Sequence, residues 1–493
     1  MRRTASTPSA DATSHLTLEA SNSARSGPVI VNDVHSRLNA TWVRDVVDIR
    51  SIADARAAII GAAPNDRICI AGPRHAMGGQ QFIENGILLD TRGFDRVIAL
   101  DRARGLVEVE SGIQWPALIR QLGALQGERE RRWTIRQKQT GADNLSIGGA
   151  LSANVHGRGL TMRPFVDDVE AFTLLDARGE LRQCSRTENR ELFRLAIGGY
   201  GLFGLIATVT LRLNRRHRLR RVVELVTSDR LVDTFAERIA AGAEYGDFQF
   251  AVDPSSTDFV HRGILSTYHS VASGIRRSEN TLELSSDQWR QLLFLAHADK
   301  SRAFDVYATH YLATSGQEYW SDSHQLSLYL DDYHRDIDAR LMCHGYGTPG
   351  TEVITELFVP KERLPALLAG VRDDFRRNEV DLVYGTIRLI ERDDESFLPW
   401  ARQSSACVIF NIHTPHTPEG QARSAETFRR LIDLAIENQG SYYLTYHRHA
   451  RRDQVLACHP ELPAMLRKKI DYDPGERFQS EWYRWYCDLL ERS

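Results

Sequence analysis

The stretch ICIAGPRHAMGGQ, residues 68–80, constrains this chain more than any other. Its first four residues are apolar and read as a short buried strand. They run directly into a glycine-rich loop that carries one histidine, His75. Glycine admits positive φ and lets backbone N–H groups approach a phosphate closely. The loop lacks the GxxxxGK[ST] pattern and opens no helix, so it is not a P-loop.

Two further glycine-rich blocks follow. Residues 141–159, GADNLSIGGALSANVHGRG, place small residues at nearly every second position. A backbone of that kind passes close to something flat or charged. Residues 198–206, GGYGLFGLI, contain a literal GxGxxG from Gly199 to Gly204. A dinucleotide fingerprint needs a strand before it and a helix after it. Here Ile206 to Leu213 alternates at period two, which is a strand, so a nicotinamide-binding Rossmann reading is rejected.

Around these blocks the pattern is mixed α and β. Val43–Asp48, Arg67–Ala71 and Ile87–Asp90 read as strands, and Ser51 with Asp54 reads as a capping box for a helix over Ile52–Ile60. Val97–Leu100 and Leu106–Glu110 read as a hairpin, and Trp115-Pro116 opens a helix. Arg215–Arg221 reads as a solvated basic connection. Beyond it, strands are expected at Phe248–Asp253, Phe259–Ile264, Glu352–Val359, Val383–Ile390 and Ala406–His413. Helices are expected at Leu231–Ala241, Arg363–Asn378 and Ala425–Asn438, on one face of an antiparallel sheet.

A histidine inside a phosphate-cradling loop suits FAD, with the diphosphate on the loop and the imidazole within reach of the ring. The loop resembles the FAD-binding loop of the vanillyl-alcohol oxidase/p-cresol methylhydroxylase (PCMH) family. Residues 146–157 resemble that family's second flavin-contacting segment, and Lys469, Asp473, Pro474 and Phe478 resemble its K-x-x-x-D-P-x-x-x-F ending. The texture is nearest to alditol and aldonolactone oxidases.

The resemblance implies an α+β, two-domain PCMH-type fold with an antiparallel-sheet substrate domain. Residues 1–28 would be a disordered tail, 29–213 the FAD-binding domain, 214–445 the substrate cap, and 446–493 a return that completes the FAD domain. It implies FAD contacts from Gly72, Pro73, Arg74, Ala76, Met77, Gly78 and Gln80, with a covalent 8α link at His75. Ser146, Gly148, Gly149, Ser152, Asn154, His156 and Gly157 would follow from the second segment, and Gly199, Gly204 and Ile206 from the third. Residues 137–157 hold no cysteine, so a single covalent link is expected. Val155 occupies a position that gates oxygen in some members, and its bulk leaves oxidase against dehydrogenase open.

The chemistry expected is oxidation of a CH–OH group of a small molecule by hydride transfer to flavin N5, with O2 or another acceptor taking the electrons. By the same resemblance Arg388, the arginine of a family Glu-x-Arg pair, would stabilise negative charge, and His413, at the place of a substrate-contacting histidine, is the first choice of base. His447 lies near the alditol-oxidase catalytic region. Thr386 stands where a family glutamate would be, and Ala450 and Arg451 where a lysine would be, so a polyol or lactone substrate does not follow. His413, His416, His447 and His449 lack carboxylate or cysteine companions, and no metal site is expected.

A flavin-dependent oxidative cyclase or desaturase is the alternative, with Trp320, Tyr329, Tyr333, Tyr346, Phe397 and Trp400 as its aromatic supply. A non-catalytic FAD-binding protein is the second alternative. A net charge of −3 gives no reason to expect nucleic acid, and no apolar run suits a membrane span. The six cysteines form no CxxC pair, which fits a reducing, cytoplasmic setting. Oligomeric state is not legible.

Overall fold

In the computed structural model the described residues are 25–127, 132–139, 141–271, 282–326, 333–344 and 348–491. The architecture is mixed α and β, built on three main sheets. The first has four strands in the order Arg25–Val31, Thr41–Asp48, Ile87–Asp90, Ile68–Ala71. Its last three strands are parallel, and the helix Ile52–Gly61 lies between the second and the last in sequence. Ser51 starts that helix by accepting the Asp54 N–H at 3.1 Å.

The second sheet is antiparallel, in the order Val97–Asp101, Leu106–Glu110, Leu205–Arg212, Val169–Leu175, Leu181–Ser185. The GxGxxG stretch therefore leads into a central strand, as its period-two continuation requires. The third sheet has eight antiparallel strands. Six of them run in the order Arg218–Thr227, Arg262–Ser270, Ala243–Phe250, Leu382–Ile390, Ser405–Pro415, Gly350–Val359. Glu318–Trp320 and Ser441–Tyr442 form its edges.

Successive strand residues point to opposite faces. On one face of the large sheet Leu357, Ile387, Leu389, Val408 and Phe410 are buried. They share a core with Leu367, Val371 and Phe375 of the helix Leu364–Arg377 and with Phe428 and Leu431 of the helix Pro418–Glu437. The opposite face carries the residues between them and lines a cavity described below.

Several expectations need correction. Arg215–Arg221 is not a solvated connection: it runs into the ten-residue strand Arg218–Thr227, in which Leu219 and Val223 are buried. The strand Arg25–Val31 begins inside the stretch read as a tail, and residues 1–24 lie outside the described residues. The segment Phe259–Ile264 turns before its strand begins at Arg262. The second glycine block contains a short helix, Ile147–Ala153. Helices are not confined to one face of the large sheet. Ser286–Ala298 and Lys300–Ala313, unread in the sequence, lie on its cavity side, where Phe304 and Ala308 pack on Val223 and Ile264. All six cysteines are free, and no helix among the described residues is long and apolar enough to cross a membrane.

The C-terminal motif works as a clasp. Lys469 is fully buried and pairs with Asp473, whose carboxylate also accepts the N–H groups of Arg477 at 3.0 Å and Phe478 at 2.9 Å. This presents the Arg477 carbonyl to the Ile68 N–H at 2.8 Å and sends the Phe478 ring into a core with Ile68, Leu89 and Leu205. The return is thus attached to the strand that delivers the first glycine loop. Asp473→Ala leaves the Lys469 charge buried without its partner, which should cost about 3–5 kcal/mol. Urea unfolding of the variant against the parent protein measures that loss.

Candidate functional site

A cavity of about 670 Å³ lies between the three glycine segments and the free face of the large sheet. From the first loop, Gly72, Pro73, Arg74, His75, Ala76 and Met77 line it, with Gln80. The loop is held by its own polar groups. Gln80 accepts the Gly78 N–H at 2.9 Å and donates to the Thr445 carbonyl at 2.8 Å, and Arg74 sits at a φ of 66° with its guanidinium 3.3 Å from Asp90. His75 Nδ1 lies 2.9 Å from His35 Nε2. Burial, and then the neighbouring His35, push His75 down to about 3, so its ring is neutral.

The second segment closes on the first because glycine permits it. A Cβ on Gly72 would lie 2.5 Å from Ser146 Oγ, and one on Gly148 would lie 2.8 Å from Ser111 Cβ. Ser146 caps the helix Ile147–Ala153 by accepting the Gly149 N–H at 3.3 Å. Ser146, Gly148, Gly149, Ser152 and His156 all line the cavity, as do Gly204 and Ile206 of the third segment.

Four expected cofactor contacts lie behind the lining instead. Asn154, at a φ of 47°, ends the helix and spends its amide on Asp393 at 2.9 Å and the Val166 N–H at 2.9 Å. A side chain on Gly157 would meet the Lys138 carbonyl, one on Gly78 the Tyr446 carbonyl, and one on Gly199 the Leu195 carbonyl. These glycines serve close packing.

The sheet forms the opposite wall by register. Thr386 pairs across to Gln249 on one side and Ile409 on the other, and Ile409 pairs with Glu356. All four line the cavity, because directly paired residues share a face. Arg388 lies two residues along from Thr386 on that same face and is 7% exposed. Arg221, from the strand misread as a linker, also lines the cavity and donates to the Tyr268 hydroxyl at 2.9 Å.

His156 joins the two walls. Its Nε2 donates to Glu356 Oε2 at 2.9 Å, and Tyr446 donates its hydroxyl to Glu356 Oε1 at 2.5 Å. Burial alone would raise the Glu356 carboxyl, yet His156 and Tyr446 hold it below the ordinary value. Glu356 and Tyr446 carry no local sequence signal, since their meeting depends on residues 200 and 90 positions apart.

His413 and His447 do not line the cavity. His413 lies beyond Asn411, opposite Glu352 in the sheet, with its ring 5.0 Å from that of His297. Burial works against its protonation, but the Glu352 carboxylate raises it above the ordinary value. His447 is pushed down to about 3 by burial and packs against His449 and Phe428. Of the expected aromatic supply, Trp400 packs on His156, Phe397 is partly buried against the core, and Trp320 is sandwiched by Arg216 and Arg218. Tyr329 and Tyr346 lie outside the described residues, as does the side chain of Tyr333. The rings that line the cavity include Phe250, Tyr268, Trp289, Phe304, Tyr307 and Tyr311, with Tyr200, Tyr384, Tyr443 and Tyr446.

Residues 44–185 match the family model of the FAD binding domain. The chain carries a PCMH-type FAD-binding domain. It is 29% identical to an uncharacterised oxidoreductase of the fasciation locus of Rhodococcoides fascians, over 42% of this chain and 49% of that protein. It is 31% identical to cytokinin dehydrogenase 3 of Oryza sativa subsp. japonica, over 31% of this chain and 29% of the relative. Against L-gulonolactone oxidase of Bos taurus it is 24% identical, over 43% of this chain and 44% of the enzyme. The chain thus spans half or less of the length of these relatives.

The residues present fit FAD. The cavity volume lies in the range of small-molecule and cofactor sites, and its glycine walls leave backbone rather than side chains at the surface. Gly72→Val would force Ser146 off its cap, an overpacking cost of about 1–3 kcal/mol. The purified variant should therefore carry markedly less flavin per mole of protein, read by absorbance.

Glu356 also makes a pH prediction. Because its folded pKa is lowered, its ionisation contributes stability above the unfolded value of 4.5, and that contribution is lost as pH falls through the folded value. Glu356→Gln should therefore lose less stability than the parent protein between neutral pH and pH 3. Thermal melts across that range measure the difference.

Proposed function

We propose that this chain is an FAD-dependent oxidoreductase that oxidises a CH–OH group of a small molecule. The reading rests on one observation above others. A buried carboxylate, Glu356, borders the cavity opposite the flavin-binding segments and is held ionised by His156 and Tyr446. Residues 29–213 with 446–493 would hold the cofactor, and 214–445 would carry the substrate wall.

Gly72–Met77, Gly148, Gly149 and Ser152 would hold FAD, with His75 as the point of covalent attachment. Its neutral imidazole has a lone pair to offer. FAD held there would supply a two-electron, hydride-accepting ring, with O2 or another acceptor taking up the electrons.

The protein's own task is the proton. Glu356 accepts the hydroxyl proton as the C–H bond is broken. His156 and Tyr446 orient its two oxygens and offset the cost of a buried charge. Arg388, across the sheet from Cys407, stabilises the negative charge that develops on the substrate oxygen. The aromatic and glycine walls exclude water. The names of two relatives, cytokinin dehydrogenase and L-gulonolactone oxidase, support a dehydrogenation at a small-molecule C–H bond.

Two outcomes are expected. Purified protein should show flavin absorbance bands, and acid precipitation should leave the colour in the pellet, while His75→Ala releases it to the supernatant. A colourless protein that takes up no added FAD overturns the reading. Glu356→Gln should keep its flavin and slow anaerobic flavin reduction by roughly 10²–10⁴-fold, the usual contribution of a positioned base. Stopped-flow absorbance reads both quantities in one experiment.

A further inference from the structure

The sheet end of the cavity gathers charged groups of both signs. Three arginines border it, Arg158, Arg221 and Arg388, against the carboxylates of Asp247, Glu352 and Glu356. Glu356 is taken by His156 and Tyr446, and Glu352 faces His297 at 3.0 Å and His413 at 3.8 Å. Asp247 is engaged as well. It accepts from Gln249 at 2.9 Å and reaches Arg158 at 3.5 Å.

Arg388 has the plainest deficit. Among the described residues it makes no hydrogen bond and no ion pair, and its Nε is buried without a partner. Thr386 Oγ1 and Gln249 Oε1 are buried and unpartnered as well, and Thr386 and Gln249 are directly paired across the sheet. Arg158 Nε, which also borders the cavity, is another. A buried charge without a partner costs several kcal/mol, and native proteins seldom leave such groups unsatisfied. Gathered at one end of a cavity, they mark where an anionic, hydrogen-bonding ligand belongs.

The walls beside this group are apolar and aromatic. Trp289, Leu292, Phe304 and Tyr307 come from the helices Ser286–Ala298 and Lys300–Ala313, and Tyr384 comes from the strand that carries Arg388. A bulge at Val383 lets two consecutive residues, Val383 and Tyr384, reach the same cavity. Flat ring surfaces beside an arginine suit a planar apolar body that ends in a charge-delocalised acid.

We propose that the substrate of this site is an aromatic hydroxy acid, its carboxylate seated on Arg388 and Thr386 and its ring held among Trp289, Phe304 and Tyr384. This rests on the oxidoreductase reading above, and it adds a specificity-determining role for Arg388.

The test uses the flavin-loaded full chain. Phenylacetate and 3-phenylpropionate are titrated against their neutral amides, phenylacetamide and 3-phenylpropionamide, with binding read by calorimetry and by perturbation of the flavin spectrum. The acids should bind at least about tenfold more tightly than the amides. Arg388→Met should weaken the acids about 100-fold, leave the amides unchanged and keep the flavin content, while Arg388→Lys restores part of the loss. Thr386→Val should weaken the acids alone, and it serves where Arg388→Met melts early.

Equal binding of acids and amides overturns the proposal. So does loss of flavin, with acid binding intact, in Arg388→Met, which assigns the guanidinium to the cofactor. Calorimetry reads the acids with or without flavin, so acid binding to a chain that never takes up FAD sinks the oxidoreductase reading alone.

Discussion

A single carboxylate joins three distant stretches of this chain. Glu356 sits on the last long strand of the large sheet, buried, and its two oxygens are taken by His156 from the second glycine segment and by Tyr446 from the start of the C-terminal return. Cys407 lies 3.8 Å from both His156 and Glu356, and the rings of Trp400, Phe358 and Tyr443 surround the imidazole. Taking an ion out of water is costly, and a partly satisfied network is worse than none. The glycine segments, the sheet and the return therefore have to arrive together, and the cavity exists because they do.

The second constraint is alternation along the strands. The strands Gly350–Val359, Leu382–Ile390 and Ser405–Pro415 give one face to the helices Leu364–Arg377 and Pro418–Glu437 and the other to the cavity. A slip of one residue would send Phe410 and Leu357 to the cavity and Asn411 and Glu356 into the apolar core. The apolar face thus fixes the register, and the register assembles the cavity-lining row of Gln249, Thr386, Ile409 and Glu356. Core packing and site geometry are one requirement, met on opposite sides of the same sheet.

Much of the cofactor half was legible in the sequence. Short strands, capped helices and glycine turns rest on local rules, and the loop at residues 72–77, the segment at 146–152 and the strand after Gly204 all meet at the cavity. The failures have physical causes. Arg215–Arg221 looks solvated because arginines outnumber apolar residues there, yet Leu219 and Arg221 share one strand face, packed against Tyr268, and the neighbouring strands decide that this face is buried. The helices over 286–313 carry weak apolar periodicity because one side faces the cavity with Trp289, Phe304 and Tyr307 rather than a continuous apolar core. His413 and His447 are singled out by residue type and by family resemblance, and neither reports which side of a wall a ring occupies.

The sequence by itself determined the glycine turns, the strands that feed them and the cofactor class they suit, because backbone freedom and side-chain periodicity are properties of neighbouring residues. Only the tertiary structure decided that Glu356 faces His156, that Tyr446 returns to meet them, and that Arg388 stands in the cavity without a hydrogen bond or ion pair among the described residues. Those pairings span up to 200 residues, and they are set by sheet register and by the cost of burying charge.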